Sequence, residues 1–182
     1  MRPDAPNAVL TFWFEEIKPM QWWKKSPEFD QLIREKFGAL HHAAAHCELF
    51  AWRQTPSGRL AEIIVLDQFS RNIYRDSAKA FACDPLALAL AQTAVAQGAD
   101  REMDLKMRQF LYMPFMHSES AVIHEAALAL FGAPGLERSL QSEMEHHAII
   151  QRFGRYPHRN ALLGRDSTDE EIEFLKGPHS SF

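Results

Sequence analysis

Apolar residues recur three and four positions apart along most of this chain, the spacing of one face of an α-helix. No stretch alternates convincingly in the two-residue rhythm of a strand. Residues 7–17, rich in Phe and Trp, predict a short helix ended before Pro19, with Trp22 and Trp23 in the loop that follows. Ser26 and Pro27 offer an N-cap and a proline at the first helical position. Phe29, Ile33, Phe37 and Leu40 then carry a second helix over about 27–51. Thr55 to Gly58 breaks the chain, and a third helix over about 58–71 contains Ile63, Ile64, Val65 and Leu66, apolar on every side. That helix belongs at the centre of the fold.

Asp84-Pro85 reads as a cap for a Leu/Ala-rich helix from Leu86 to Gln97, stopped by Gly98. The next runs from Asp100 to about Tyr112, before Pro114, and another from His117 or Ser118 to Phe131. Leu136, Leu140, Met144 and Ile150 mark a long helix through Phe153, closed by Gly154. After a short turn at 157–163, Thr168 with Glu171 offers a capping box for a last helix, stopped by Gly177-Pro178. The pattern predicts one all-α domain over residues 1–182, with about eight helices and short connections.

Polar side chains interrupt the apolar stripes in three blocks. Asp67 and Arg71 lie four apart on the central helix, the acid first, which suits an ion pair, with Gln68 between them and Asn72 and Tyr74 following. They read as a salt bridge or as polar groups delivered to a pocket by a buried rod. Glu143 and His147 fall inside the stripe of the long helix and can meet as a core pair or as an acid/base pair. A metal needs more: Glu143 and His146 make one Glu-x-x-His unit, where di-metal bundles use two. His117 and Glu119 follow Pro114. His117 and His124 share a face but lie ~10 Å apart along it, too far to chelate one ion. His41, His42 and His46 have no converging acid or thiol and read as a histidine-rich surface.

The third block is the densest. Arg152, Arg155, Arg159 and Arg165, with His146, His147, His158 and Asn160, follow one another with no acid between Glu145 and Arg165. Guanidinium groups grip carboxylate or phosphate with two parallel hydrogen bonds, and a helix start near Pro157 presents unpaired amides to an anion. The same arginines could equally tie helix ends to the acids of a net-negative chain.

Composition narrows the classes. A net charge of −4 and a pI near 6.1 argue against a dedicated nucleic-acid binder, so the basic block is local. Cys47 and Cys83 make no motif and no disulfide framework, which suits reduced thiols in the cytoplasm. Met1 to Pro6 lacks the features of a secretory leader, and no window approaches the ~18 apolar residues of a membrane span. Phosphate loops, nucleophile elbows, zinc-protease and paired-cysteine motifs are absent.

The run Leu66-Asp67-Gln68-Phe69-Ser70-Arg71-Asn72-Ile73-Tyr74-Arg75 resembles a signature of a widespread, mostly bacterial family of unknown function. Further matches in order are Phe81 to Pro85, Arg108 to Glu119, and Arg152-Phe-Gly-Arg155-Tyr-Pro-His158-Arg159-Asn160 with Gly164-Arg165 and Ser167-Thr168. Ser70, His124 and His147 depart from the family pattern, which favours Pro, Gln and Arg there. The resemblance implies helices stacked as tetratricopeptide-like hairpins and supplies no reaction.

Two functions from different classes follow. The first is a pocket for a small anionic ligand bearing phosphate or carboxylate. Asp67, Gln68, Arg71, Asn72, Tyr74, His146, Arg152, Arg155, Arg159, Asn160 and Arg165 would bind it, and His117, Glu119 and His158 would serve any acid/base hydrolytic chemistry. The second is a helical scaffold for a peptide or protein partner. Neither reading calls for a cofactor, a metal, a nucleic acid or a membrane.

Overall fold

Aromatic side chains at the start of the chain need partners, and the first helices supply them. The computed structural model describes residues 5–178 and 180–181, and the regular structure among them is helical. Residues 1–4 of the expected leaderless N-terminus lie outside the described residues. The described chain forms two compact units: one runs to Arg75 and resumes over Lys79–Pro114, the other is Asp76–Ala78 with Phe115–Phe182.

In the first unit, α1 (Ala5–Thr11) continues through a wider π turn at Phe12–Glu16. Phe12 and Trp13 are buried there, and Trp13 meets Phe69 and Phe110 edge-on at 5.5 and 5.6 Å between ring centroids. Burying one such side chain contributes roughly 1.5–3 kcal/mol. Trp22 ends a short 3-10 turn, Pro19–Trp22, rather than lying in an irregular loop. Helix α2 (Pro27–Ala45) starts as its caps dictate: the Ser26 hydroxyl accepts the Phe29 amide at 3.2 Å. It stops six residues sooner than the periodicity suggested, because the chain turns through Cys47 at φ 59° and re-forms as a 3-10 turn at Phe50–Gln54.

Helix α3 (Pro56–Ile64) begins two residues earlier than expected. Thr55 is its N-cap, accepting the Gly58 amide at 3.1 Å, so the Thr-Pro pair opens the helix instead of breaking the chain. Gly58 is needed there, because a Cβ would come within 2.1 Å of the Trp52 carbonyl oxygen. A second π turn, Val65–Phe69, carries α3 into α4 (Ser70–Ile73). Every residue from Leu60 to Ser70 is buried, as the all-round apolar run requires. Helix α5 (Asp84–Ala96) packs on α3 through its alanines, with Ala87, Ala91 and Ala94 fully enclosed. Asp84 does not cap it; its carboxylate turns to Arg71 instead.

Helix α6 (Leu105–Met116) runs past Pro114. The proline costs about 3 kcal/mol in a helix interior, and the buried row Phe110, Leu111, Met113, Phe115 and Met116 offsets it. In the second unit α7 (Ala121–Phe131) and α8 (Glu137–Phe153) pack side by side. Gly154, at φ 69°, ends α8 in the left-handed conformation that glycine adopts without strain. A 3-10 turn follows at Pro157–Arg159, and the Thr168–Glu171 capping box starts α9 (Asp169–Phe174) as expected. No helix among the described residues is long and apolar enough to cross a membrane.

Candidate functional site

The inward face of α8 is not the one defined by Leu140 and Met144. Met144 is 51% exposed, and the buried residues are Glu143, His146, Ile149 and Ile150. The phase error matters because it pairs the wrong side chains. Glu143 meets His124 of α7, Oε1 to Nδ1 at 2.6 Å, and both are completely buried. His147 instead lies 3.4 Å from Glu125 and stacks on the His124 ring, centroids 5.9 Å apart. His124 Nε2 is 2.8 Å from the Ser118 carbonyl, an acceptor, so that nitrogen carries a proton. Glu143 Oε2 is sealed from solvent without a hydrogen bond.

Tyr156 is the hub of this unit. It is fully buried, and its amide donates to Glu119 Oε1 at 2.8 Å. Its hydroxyl donates to the Met116 carbonyl at 2.5 Å and lies 3.3 Å from His124 Nε2. Around the ring stand His146 at 5.7 Å, His158 at 5.6 Å and His124 at 6.3 Å between centroids. The Arg159 guanidinium lies over it at 4.6 Å. Thus the helix end at Gly154 and the turn at Pro157 bring three imidazoles and a guanidinium around one phenol. In the sequence the hub shows only as an aromatic set directly between Arg155 and Pro157, and spacing does not reveal its burial.

His146 donates from Nδ1 to the Ser142 carbonyl, one turn back on α8, at 2.7 Å. Burial drives its imidazole down to about 3, the Ser142 carbonyl opposes this, and His117, His124 and His158 add to the lowering. It is therefore a neutral ring at physiological pH.

The other arginines of the basic block grip carboxylates. Arg165 forks onto Glu119 at 2.6 and 2.9 Å and reaches Asn160 Oδ1 at 3.0 Å. Arg155 forks onto Glu171 at 2.7 and 2.8 Å, and Arg152 meets Glu170 at 2.8 Å on the surface. Burial pushes Glu119 up, but Arg165, the Tyr156 amide and Arg159 outweigh it and hold the carboxyl below its usual range. Glu171 is held at about 2, chiefly by the Arg155 hydrogen bonds. These arginines tie α9 and the 160–167 loop to their neighbours. Of the four, Arg159 has its guanidinium on the Tyr156 ring.

In the first unit the expected polar block forms its own network. Arg71 lies 3.2 Å from Asp67 and forks onto Asp84 at 2.9 and 3.0 Å, joining α4 to the start of α5. Gln68 donates to Asp67 at 2.5 Å and to the Met113 sulfur at 3.4 Å. Asn72 and Arg75 both donate to Asp30 of α2, Asn72 at 2.8 Å. Tyr74 meets His41 edge-on at 5.3 Å. His41 is buried and lies 2.7 Å from the Ser70 hydroxyl, so the expected histidine-rich surface holds for His42 and His46 alone. A pocket of about 200 Å³ opens beside Pro56, Leu60, Glu102 and Met107, and no expected site residue lines it. Among the described residues no group of His, Cys, Asp and Glu could hold a metal ion.

The chain as a whole matches a known family. Residues 9–179 match the family described as bacterial protein of unknown function (DUF924), and the chain belongs to that family. Among solved structures it is similar to ATU0120, a protein of unknown function from Agrobacterium tumefaciens. The two are 36% identical, with a TM-score of 0.90 over 94% of this chain and 97% of that one. No curated protein matches.

Proposed function

We propose that the second unit binds a small anion, carrying a carboxylate or a phosphate, at the basic shell around Tyr156. One observation carries the reading: three imidazoles and the Arg159 guanidinium surround a single fully buried ring. Guanidinium and imidazole N–H groups gathered on one side chain suit the oxygens of an anion, and this grouping supports the reading. Arg159 and His158 on the turn, His146 on α8, and His117 nearby are the residues assigned to the ligand. Arg152, Arg155 and Arg165 pass from ligand contacts to supports, because carboxylates already occupy them. His146 is too weakly basic in the resting state to drive acid/base hydrolysis, so the proposal is binding. The free thiols of Cys47 and Cys83 support a reducing, cytoplasmic setting.

The test is a thermal-shift screen with phosphorylated and carboxylated metabolites. A ligand at a hundred times its dissociation constant adds about 2.7 kcal/mol of stability. The shift should vanish in Arg159→Gln and survive in Arg152→Gln, whose ion pair is exposed. An equal shift in both variants would place the anion elsewhere. A second reading, docking of a peptide or protein, is favoured by Met20 and Trp23, which stand 67% and 55% exposed on the first unit. It predicts a stable complex that Trp23→Ala disrupts.

A further inference from the structure

Trp22 and Trp23 adjoin in sequence and play opposite parts. Trp22 turns inward: its indole Nε1 donates to the Trp13 carbonyl at 3.0 Å, and its ring meets Phe110 edge-on at 5.0 Å. Trp23 stacks with Phe110 at 6.1 Å between centroids, yet stands 55% exposed. A 3-10 turn sets side chains three positions apart one above the other, so Met20 and Trp23 share one side of the turn at Pro19–Trp22. The Met20 carbonyl accepts the amides of Trp23 and Lys24 at 3.4 and 3.2 Å. Folding thus fixes two exposed apolar side chains in a common direction, and a partner that covers them orders little more of the chain.

Charge says which partner. Residues 17–27 hold three lysines, Lys18, Lys24 and Lys25, all exposed, and no acid. Exposed Lys106 of α6 adds a fourth, its ammonium 5.9 Å from the Trp22 ring centre. Of the flanking acids, Glu16 pairs with Lys36 at 2.8 Å and Glu28 accepts the Ser26 hydroxyl at 2.7 Å. The patch is therefore basic in a chain whose net charge is −4. Lysine is depleted where proteins meet proteins. Lysine beside tryptophan suits the boundary of a membrane, where indole rings sit at headgroup level and lysine stems carry their charge to the phosphates.

We infer that this turn docks the first unit onto an anionic lipid surface. Met20 and Trp23 enter the headgroup region, and Lys18, Lys24, Lys25 and Lys106 supply the attraction to lipid phosphate. The contact is independent of any anion at Tyr156. It is peripheral and reversible, because two apolar side chains and a small basic patch hold a protein far less firmly than a spanning helix does. Each lysine near an anionic surface is worth about fivefold in binding. Salt weakens the contact, since the Debye length falls from about 10 Å at 0.1 M to about 3 Å at 1 M.

The experiment is co-sedimentation of the full chain with vesicles of phosphatidylcholine alone, and with vesicles of phosphatidylcholine and phosphatidylglycerol in equal parts. The chain should bind the mixed vesicles, with a blue shift in tryptophan emission, and stay in solution with the neutral ones. Lys24→Gln/Lys25→Gln should weaken binding by about fivefold for each lysine, and Trp23→Ala by roughly tenfold or more while abolishing the blue shift. If Trp23→Ala fails to fold, Met20→Ser reads the same apolar contact from a side chain that is 67% exposed. Met144→Ser, an exposed apolar position in the second unit, should bind as the unaltered chain does. Equal binding to both vesicle types, or binding indifferent to the lysine and tryptophan variants, would overturn the inference. A chain that ignores both vesicle types would also overturn it, and would leave Met20 and Trp23 to a protein partner.

Discussion

His124 and Glu143 face each other from α7 and α8, Nδ1 2.6 Å from Oε1, with solvent reaching neither side chain. Removing one partner strands the other in a dry interior, a cost of about 3–5 kcal/mol. Glu143→Ala or His124→Ala should therefore lower the denaturation midpoint sharply. The double variant His124→Leu/Glu143→Leu should cost less than the sum of the two alanine variants. Additive losses in urea titrations would show that the pair is not the coupling between these helices.

The buried imidazole of His146 makes stability depend on pH. Its value falls from 6.5 to about 3 on folding, so between those limits the unfolded chain binds a proton that the folded chain does not. Stability should decline as pH drops from 6.5 toward 3, by up to about 1.4 kcal/mol per pH unit from this group, and level off below. His146→Gln should flatten that part of the profile. A pH series of chemical denaturations measures it, and parallel curves for the two proteins would contradict the assignment.

Glu171 behaves in the opposite sense. Its carboxyl drops from 4.5 to about 2 in the folded chain, first through Arg155. The pair's contribution is fully present above pH 4.5 and is lost as pH falls toward 2. Glutamine at this position keeps the capping box and removes the charge. Glu171→Gln should thus lower the melting temperature at neutral pH and have little effect at the acid end of that window. A penalty independent of pH would mean that the cap, and not the ion pair, had been damaged.

Gly58 offers a steric test. An added methyl would lie 2.1 Å from the Trp52 carbonyl oxygen, a backbone atom that cannot rotate away. Gly58→Ala should destabilise by about 1–3 kcal/mol despite alanine's better helix propensity. An unchanged or higher melting temperature would show that the Phe50–Gln54 turn yields.

The helical class was legible because its signals are local: Ser26, Thr168 and Gly154 act through neighbours three residues away or through their own backbone. The buried rod over 60–70 was legible for the same reason, since an all-apolar run has no solvent-facing side. The partner of Glu143 was not. Its face on α8 depends on where the helix is phased, and Met144, an apolar residue left in solvent, shifts that phase. Nor could spacing show that Arg155 and Arg165 are answered by Glu171 and Glu119, because those acids lie 16 and 46 residues away. Cluster membership in the sequence says that charges are present, and only three-dimensional pairing says which of them are spent.

The π turn at Val65–Phe69 bears on how relatives of this chain should be aligned. A π turn takes one residue more per turn than the α-helix on either side, and typically absorbs a single inserted residue while leaving the flanks in place. Helices α3 and α4 would therefore superpose on those of a relative lacking one residue in this window. A one-residue gap between 65 and 69 would be a change of winding confined to that turn. The hydrophobic pattern read at a constant angle slips by one position across it, so Asp67 and Arg71 share a helix without sharing an uninterrupted α-helical frame.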